Sequence, residues 1–244
     1  MKQESLAIID QIVSLPNDWH QAGSVNRDVL LAIVRYSEEC GGFRRTAETG
    51  VGRTTLLFSH LSDDHVVFAL DGEKSLSQTK CSSLLRAERV RFVEGPSQRT
   101  LPQHLFEQGL QAVLIDGPHG YPFPDIEYYY FYPHLAAGGI LIIDDIDIPS
   151  IGRMLDILRA DSMFEFREVV GKTAFLTRTH EPAIDPCGDS WWLQGYNRGY
   201  YEDITRSPNQ ELSGRFLRRL SRFTPQTIKN SLSRTLKRRL RRFM

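Results

Sequence analysis

The chain has 244 residues, 41% hydrophobic and 25% charged, which suits one domain of ordinary size around one buried core. Its three cysteines, Cys40, Cys81 and Cys187, are too few and too scattered for a disulfide scaffold or a zinc site, and no apolar run of about 18 residues is present to cross a bilayer. The net charge of zero hides a split: residues 213–244 carry eleven Lys or Arg and no acid, whereas residues 1–212 carry 19 basic and 30 acidic side chains.

In chain order, SLAIIDQIVSL and NRDVLLAIVRYSEEC repeat apolar residues at spacings of three and four, so residues 1–40 are predicted to form N-terminal helices. The apolar run of the first is short and broken by Asp10, unlike a signal peptide, and a reduced cytoplasmic location is expected. Gly41-Gly42 stops the second helix. Candidate strands then follow at 43–48, 65–71, 89–95, 111–117 and 138–145. Helical stretches separate them: RTTLLFSHL, SLSQTKCSSLLR, LPQHLFEQG and FPDIEYYYFYPHL. Strands alternating with helices imply an α/β fold, a doubly wound, mostly parallel sheet covered on both faces. Beyond IGRMLDILRAD, the segments FEFREVV and TAFLTRT are parted only by Gly171-Lys172. That spacing predicts a C-terminal antiparallel hairpin and brings the sheet to seven strands. Residues 41–180 therefore form the core. Residues 181–212, rich in Trp, Tyr and turn formers, are expected as irregular structure near the active-site mouth.

Open α/β sheets bind ligands where strands end at their carboxyl side. The first strand runs into Glu48-Thr49-Gly50-Val51-Gly52. Two glycines one residue apart permit a tight turn and close backbone approach to a ligand, and the next helix offers its N-terminal amides. The third glycine of the dinucleotide fingerprint is replaced by Thr55. The second strand ends in Asp71, roughly 20 residues on, where an acid can accept hydrogen bonds from ribose hydroxyls. The third ends in Glu94-Gly95-Pro96-Ser97, which suits an adenine edge. The fourth ends in Asp116-Gly117-Pro118-His119 and the fifth in Asp144-Asp145. Any single tip could be a helix N-cap; five polar tips in succession are harder to explain structurally. Asp116, Asp144 and Asp145 should converge where strands four and five end. Their mutual repulsion would be relieved by Mg²⁺ or another hard divalent cation.

The runs AETGVGRTT, FALD, VEGPSQRTLP, VLIDGPHG and LAAGGILIIDDI together resemble the class I S-adenosylmethionine-dependent methyltransferases. Among these the chain is most similar to the metal-dependent O-methyltransferases of the catechol and macrocin/sugar types, over roughly residues 28–178. The resemblance implies that Glu48, Gly50 and Gly52 line the methionine and ribose part of S-adenosylmethionine. It also implies that Asp71 holds the ribose hydroxyls, that Ser97 lies by the adenine, and that Asp116, Asp144 and Asp145 bind Mg²⁺, with Asp116 also lining the cofactor site. Pro118 stands where some sugar-type relatives carry an acid, so His119 becomes the candidate general base. No lysine lies at 117–120, which weakens the catechol reading. The implied reaction is methyl transfer to a hydroxyl of a small acceptor, a sugar or glycosylated metabolite being favoured.

The tail at 213–244 sets Phe216, Leu217, Leu220 and Phe223, then Leu232, Leu236, Leu240 and Phe243, among arginines at helical spacing. A basic amphipathic helix of this kind suits an anionic membrane surface, which would place the protein peripherally at the inner face. Nucleic acid is the weaker competitor, and a solvated or docked tail is the bland alternative. The competing functional class is a non-catalytic nucleotide-binding protein that docks through this tail. An NAD-dependent oxidoreductase is disfavoured by Thr55 and by the terminal hairpin.

Overall fold

The computed structural model describes residues 3–16, 25–70, 74–107 and 109–199. Asp71, Tyr200, Tyr201 and the basic tail at 213–244 lie outside the described residues. Two helices open the chain, α1 (Gln3–Val13) and α2 (Arg27–Glu39). Asn26 caps α2 by accepting a hydrogen bond from the Val29 amide at 3.0 Å, which satisfies one of the otherwise unpaired amides of the first turn. The alternating region follows: β1 (Phe43–Thr49), α3 (Arg53–Leu61), β2 (Ser62–Ala69), α4 (Ser75–Cys81), β3 (Val90–Glu94), α5 (Ser97–Thr100), β4 (Leu110–Ile115), α6 (Phe123–Phe131), β5 (Leu135–Ile143) and α7 (Pro149–Arg159). The hairpin β6 (Phe164–Val170) and β7 (Thr173–Arg178) closes the sheet.

The seven strands lie in the order β3-β2-β1-β4-β5-β7-β6. Strands β3 to β5 are mutually parallel, and β7 runs antiparallel to both β5 and β6. This is the expected doubly wound sheet with its terminal hairpin. The direction of winding reverses between β1 and β4, so the ends of these two neighbours flank the crevice in which such sheets bind ligands.

Strand alternation explains how both faces are covered. Ala112 and Leu114 of β4, with Ile140 and Ile142 of β5, share a core with Ile9 and Ile12 of α1, Leu30 and Ile33 of α2, and Leu56 and Leu57 of α3. The intervening Val113, Ile115, Leu141 and Ile143 join Phe131 of α6 and Met154, Leu155 and Leu158 of α7 on the other face. The run Tyr128–Tyr132 divides accordingly. Phe131 and Tyr132 are buried, whereas Tyr129 is exposed.

Several boundaries differ from expectation for local reasons. The helix expected at 101–109 does not form among the described residues of that stretch. Only α5 and a 3₁₀ turn at Leu101–Gln103 form, because Phe106 is drawn into a ring cluster with Phe68, His104, Phe131 and His134. Helix α4 ends at Cys81 rather than continuing to 86. The Leu84 carbonyl is held by His60 and the Arg86 amide by Ser59. Strand β5 begins at Leu135, three residues early, and bulges before it regains register at Ile140. Gly138, at φ +79°, accommodates that bulge.

The described residues up to Ser190 form one compact unit, and the described residues 191–199 belong to a second. The described part of the second holds a 3₁₀ turn at Trp191–Leu193, with the Trp191 and Trp192 rings edge to face at 6.1 Å.

Candidate active site

A cleft of about 780 Å³ opens over the carboxyl ends of β1, β4 and β5. That is ample for a nucleoside-sized ligand, since small-molecule sites occupy roughly 300–1,000 Å³. Gly50, Gly52, Ser97, Asp116, His119, Asp144 and Asp145 all line it. Seven residues singled out in the sequence thus meet in one cavity.

The glycine turn is built as the motif suggested. Gly50 has φ +86°, and a Cβ there would lie 2.3 Å from the carbonyl oxygen of Asp116. The end of β1 therefore rests directly on the end of β4. The Gly50 amide donates to the Phe68 carbonyl at 3.1 Å, and the Gly52 amide donates to Thr55 Oγ1 at 3.0 Å. Thr55, which replaces the third glycine, thereby holds the turn with its side chain.

Glu48 departs from expectation. It is fully buried beneath the turn and does not line the cleft. Thr55 Oγ1 donates to its Oε1, and His65 Nε2 lies 3.2 Å from the same oxygen. The other ring nitrogen of His65, Nδ1, lies 2.7 Å from Thr46 Oγ1. A strand residue at this position points into the helix-covered layer. Glu48 Oε2 is left buried without a partner among the described residues.

At the β4 and β5 tips the carboxylates are unequal. Asp116, His119 and Asp145 bring ligand atoms within 4.8 Å of one another. His119 Nε2 lies 3.2 Å from Asp145 Oδ2. Asp144 stands apart from this trio because its Oδ1 accepts a hydrogen bond from Thr173 Oγ1 of β7. The trio that converges is therefore Asp116, His119 and Asp145, rather than Asp116, Asp144 and Asp145. Asp145 adopts φ +53°, a conformation that Asp and Asn tolerate better than most residues. Lys172, at the β6–β7 turn, donates to Asp145 Oδ1. The Ser150 hydroxyl of α7 donates to the His119 carbonyl at 2.6 Å and anchors that loop.

The electrostatics match a gathering of carboxylates that Lys172, held on Asp145, offsets only in part. Asp116 is held well above the usual carboxylate range, first by burial and then by Asp144 and Asp145. Asp144 is also raised by burial, against the opposing hydrogen bond from Thr173. Two carboxylates and an imidazole converging on one point fit a divalent cation, and its charge would offset this repulsion.

One carboxylate escaped the sequence reading altogether. Glu127 of α6 is fully buried under the cleft. Its Oε1 accepts from Ser97 Oγ at 2.6 Å and its Oε2 from Thr49 Oγ1 at 2.8 Å, and the Gly117 amide is a third donor. Ser97 lines the cleft as expected, but its hydroxyl is committed to Glu127. Burial pushes the Glu127 carboxyl up to about 7, against the downward pull of its three donors. The folded state therefore keeps a proton that an unfolded glutamate, near 4.5, releases. Below pH 4.5 both forms are protonated and the group is neutral in the balance. As pH rises from 4.5 to 7 it subtracts up to roughly 3 kcal/mol from stability. Glu127→Gln should remove that slope. Urea unfolding at pH 4.5, 6 and 8 should give wild-type and variant free energies that diverge as pH rises.

Residues 47–146 match the family model described as a methyltransferase domain. Among solved structures, one neighbour is a Staphylococcus aureus protein provisionally named a caffeoyl-CoA O-methyltransferase, at TM-score 0.53 and 16% identity, covering 72% of this chain and 91% of that one. A Bacillus cereus O-methyltransferase solved in complex with SAH aligns at TM-score 0.50 and 18% identity, covering 73% and 92%. The MycE methyltransferase of the mycinamycin biosynthetic pathway, solved with Mg and SAH, aligns at TM-score 0.51 and 15% identity, covering 76% and 58%. No protein of curated function matches by sequence.

Proposed function

We propose that this chain is an S-adenosylmethionine-dependent methyltransferase that moves the donor's methyl group to a hydroxyl oxygen of a small acceptor, with a divalent cation at the β4–β5 tips. The observation that carries the reading is the convergence of Asp116, His119 and Asp145 inside the same cleft as the Gly50–Gly52 turn. A methyl donor alone needs no such cluster, whereas an oxygen nucleophile must lose a proton. One fold neighbour holding Mg and SAH together is consistent with this.

The donor would lie over the glycine turn, where Gly50 and Gly52 let the backbone approach, with its nucleoside end toward Ser97. When bound it supplies an electrophilic sulfonium methyl; a divalent ion supplies charge that makes an acceptor hydroxyl more acidic. The chain's own residues do the rest. Asp145 Oδ2, 3.2 Å from His119 Nε2, is placed to steady the ring as an imidazolium once it has taken the acceptor's proton. Thr173 keeps Asp144 turned toward β7, and the Ser150 anchor keeps His119 over the cleft. Positioning of donor and oxygen supplies much of the acceleration. The absence of a lysine from 117–120 favours sugar-like acceptors over catechols.

A specific observation supports a second role for His119, since its ring nitrogen is itself one of the three converging ligand atoms. In that reading it holds the cation and another group takes the proton.

Calorimetry should show S-adenosylhomocysteine binding and no NAD binding. Incubation with labelled methyl donor, Mg²⁺ and a panel of sugars, catechols and cell-envelope extracts should then label a hydroxylated acceptor. NAD binding in the absence of S-adenosylhomocysteine binding would sink the proposal.

A further inference from the structure

We infer that Glu127 is a positioning residue, a buried clamp that sets the cofactor cleft by tying together the tips of three strands; the inference rests on the methyltransferase reading for its ligand. Its carboxylate receives Thr49 from the end of β1, Ser97 from just beyond β3, and the Gly117 amide from just beyond β4. These strands are not consecutive neighbours, because β2 separates β3 from β1. The carboxyl group therefore joins the tip of β3 directly to those of β1 and β4, across the width of β2.

The clamp reaches the cleft through two short paths. Thr49 Oγ1 donates to Glu127 and accepts from the Asp116 amide at 3.1 Å. The Glu127 carboxylate therefore fixes, through one hydroxyl, where the Asp116 backbone sits. On the other side Ser97, itself buried, is both a wall of the cleft and a donor to Glu127. The fit is close. A Cβ on Gly117 would lie 2.0 Å from Glu127 Oε1, so a larger residue there would have to push the clamped carboxyl group aside. Three donors aimed at one carboxylate leave little freedom. A carboxyl group buried this completely is costly even with its proton, and packing alone would be served better by an apolar residue among the neighbouring aromatics of α6.

A positioning role separates from a structural one by what moves. In Glu127→Ala, binding of S-adenosylhomocysteine measured by calorimetry should weaken at least tenfold, with the donor KM rising more than kcat falls. Glu127→Gln keeps the shape but offers one acceptor oxygen instead of two, and should weaken binding threefold or more. The control is Leu158→Val, a buried residue of α7, which should lower the melting temperature while binding stays within twofold. Amide exchange gives a ligand-free readout. In Glu127→Gln the Asp116 and Gly117 amides should exchange at least tenfold faster, while those of Val113 and Leu114 in β4 stay unchanged.

Binding within twofold of wild type in Glu127→Gln, with unchanged exchange at Asp116 and Gly117, would overturn the inference. So would equal weakening in Leu158→Val. Should Glu127→Ala fail to fold, the Gln variant decides. A wild-type chain that ignores S-adenosylhomocysteine would instead defeat the methyltransferase reading, and the exchange result would still decide the clamp.

Discussion

Asp145→Asn should lower methyl transfer by about 100- to 1,000-fold, the scale on which enzymes lose rate when one preorganised charge is removed at the reacting centre. The same change at Asp144 should cost only about tenfold, as for residues that support a site from behind. The asymmetry follows from contacts. Asp145 faces His119 and Lys172, whereas Asp144 is turned onto Thr173. Asparagine is the informative replacement because it tolerates the φ of +53° at position 145, so the charge is lost without added backbone strain. Single-turnover rates with and without Mg²⁺ measure the effect, and a chelator should bring the wild type down toward the variant. Equal losses at 144 and 145 would refute the assignment, as would full wild-type activity in chelator. His119→Ala then separates the two roles of the histidine. A base is needed for the rate but not for the cation, so Mn²⁺ affinity should persist; a ligand would weaken Mn²⁺ as much as Asp145→Asn does.

The strand tips were legible in the sequence because each is announced twice, by an apolar run that stops and by a polar residue that follows. That is why Gly50, Gly52, Ser97, Asp116, His119, Asp144 and Asp145 reach one cleft. What a strand tip does next is decided by neighbours far away in sequence, and there the reading failed. Glu48 reads as a tip residue, yet its strand parity turns it under the sheet toward His65 and Thr55. Asp144 and Asp145 read as a matched pair; both line the cleft, but Thr173 engages Asp144 while Asp145 meets His119 and Lys172. Glu127 gave a faint signal, an acid set directly among the rings of IEYYYFY. Charged residues are rarely fully buried unless partnered, but nothing nearby in sequence names Thr49, Ser97 and Gly117 as the partners. Helix ends were missed for the same reason, as at Phe106, where a five-ring cluster outweighs local propensity.

Gly50→Ala should abolish ligand binding while leaving the sheet folded. Two independent penalties meet at this residue. Its φ of +86° lies where an L side chain is strained, and the new methyl would lie 2.3 Å from the Asp116 carbonyl oxygen, far inside contact distance. The oxygen cannot simply withdraw. The Asp116 amide is held by Thr49 and the next residue, Gly117, by Glu127. The tips of β1 and β4 must therefore separate, which opens the crevice at the point where the winding reverses. Strain of this kind costs about 1–3 kcal/mol, and the overpacking about as much again, so the loss of stability should be roughly 2–6 kcal/mol. A marginal domain survives that range only in part, so the test is run at 10 °C, with circular dichroism to confirm the fold. Affinity for S-adenosylhomocysteine should fall at least 100-fold, because the glycine turn and the Asp116 tip are displaced together. Gly138→Ala is the matched control. Gly138 also has positive φ, +79°, but nothing lies within 4 Å of its Cβ position and it stands outside the cleft. It should share the backbone strain and none of the binding loss. If both variants bind alike, the contact between strand tips is not what shapes the site.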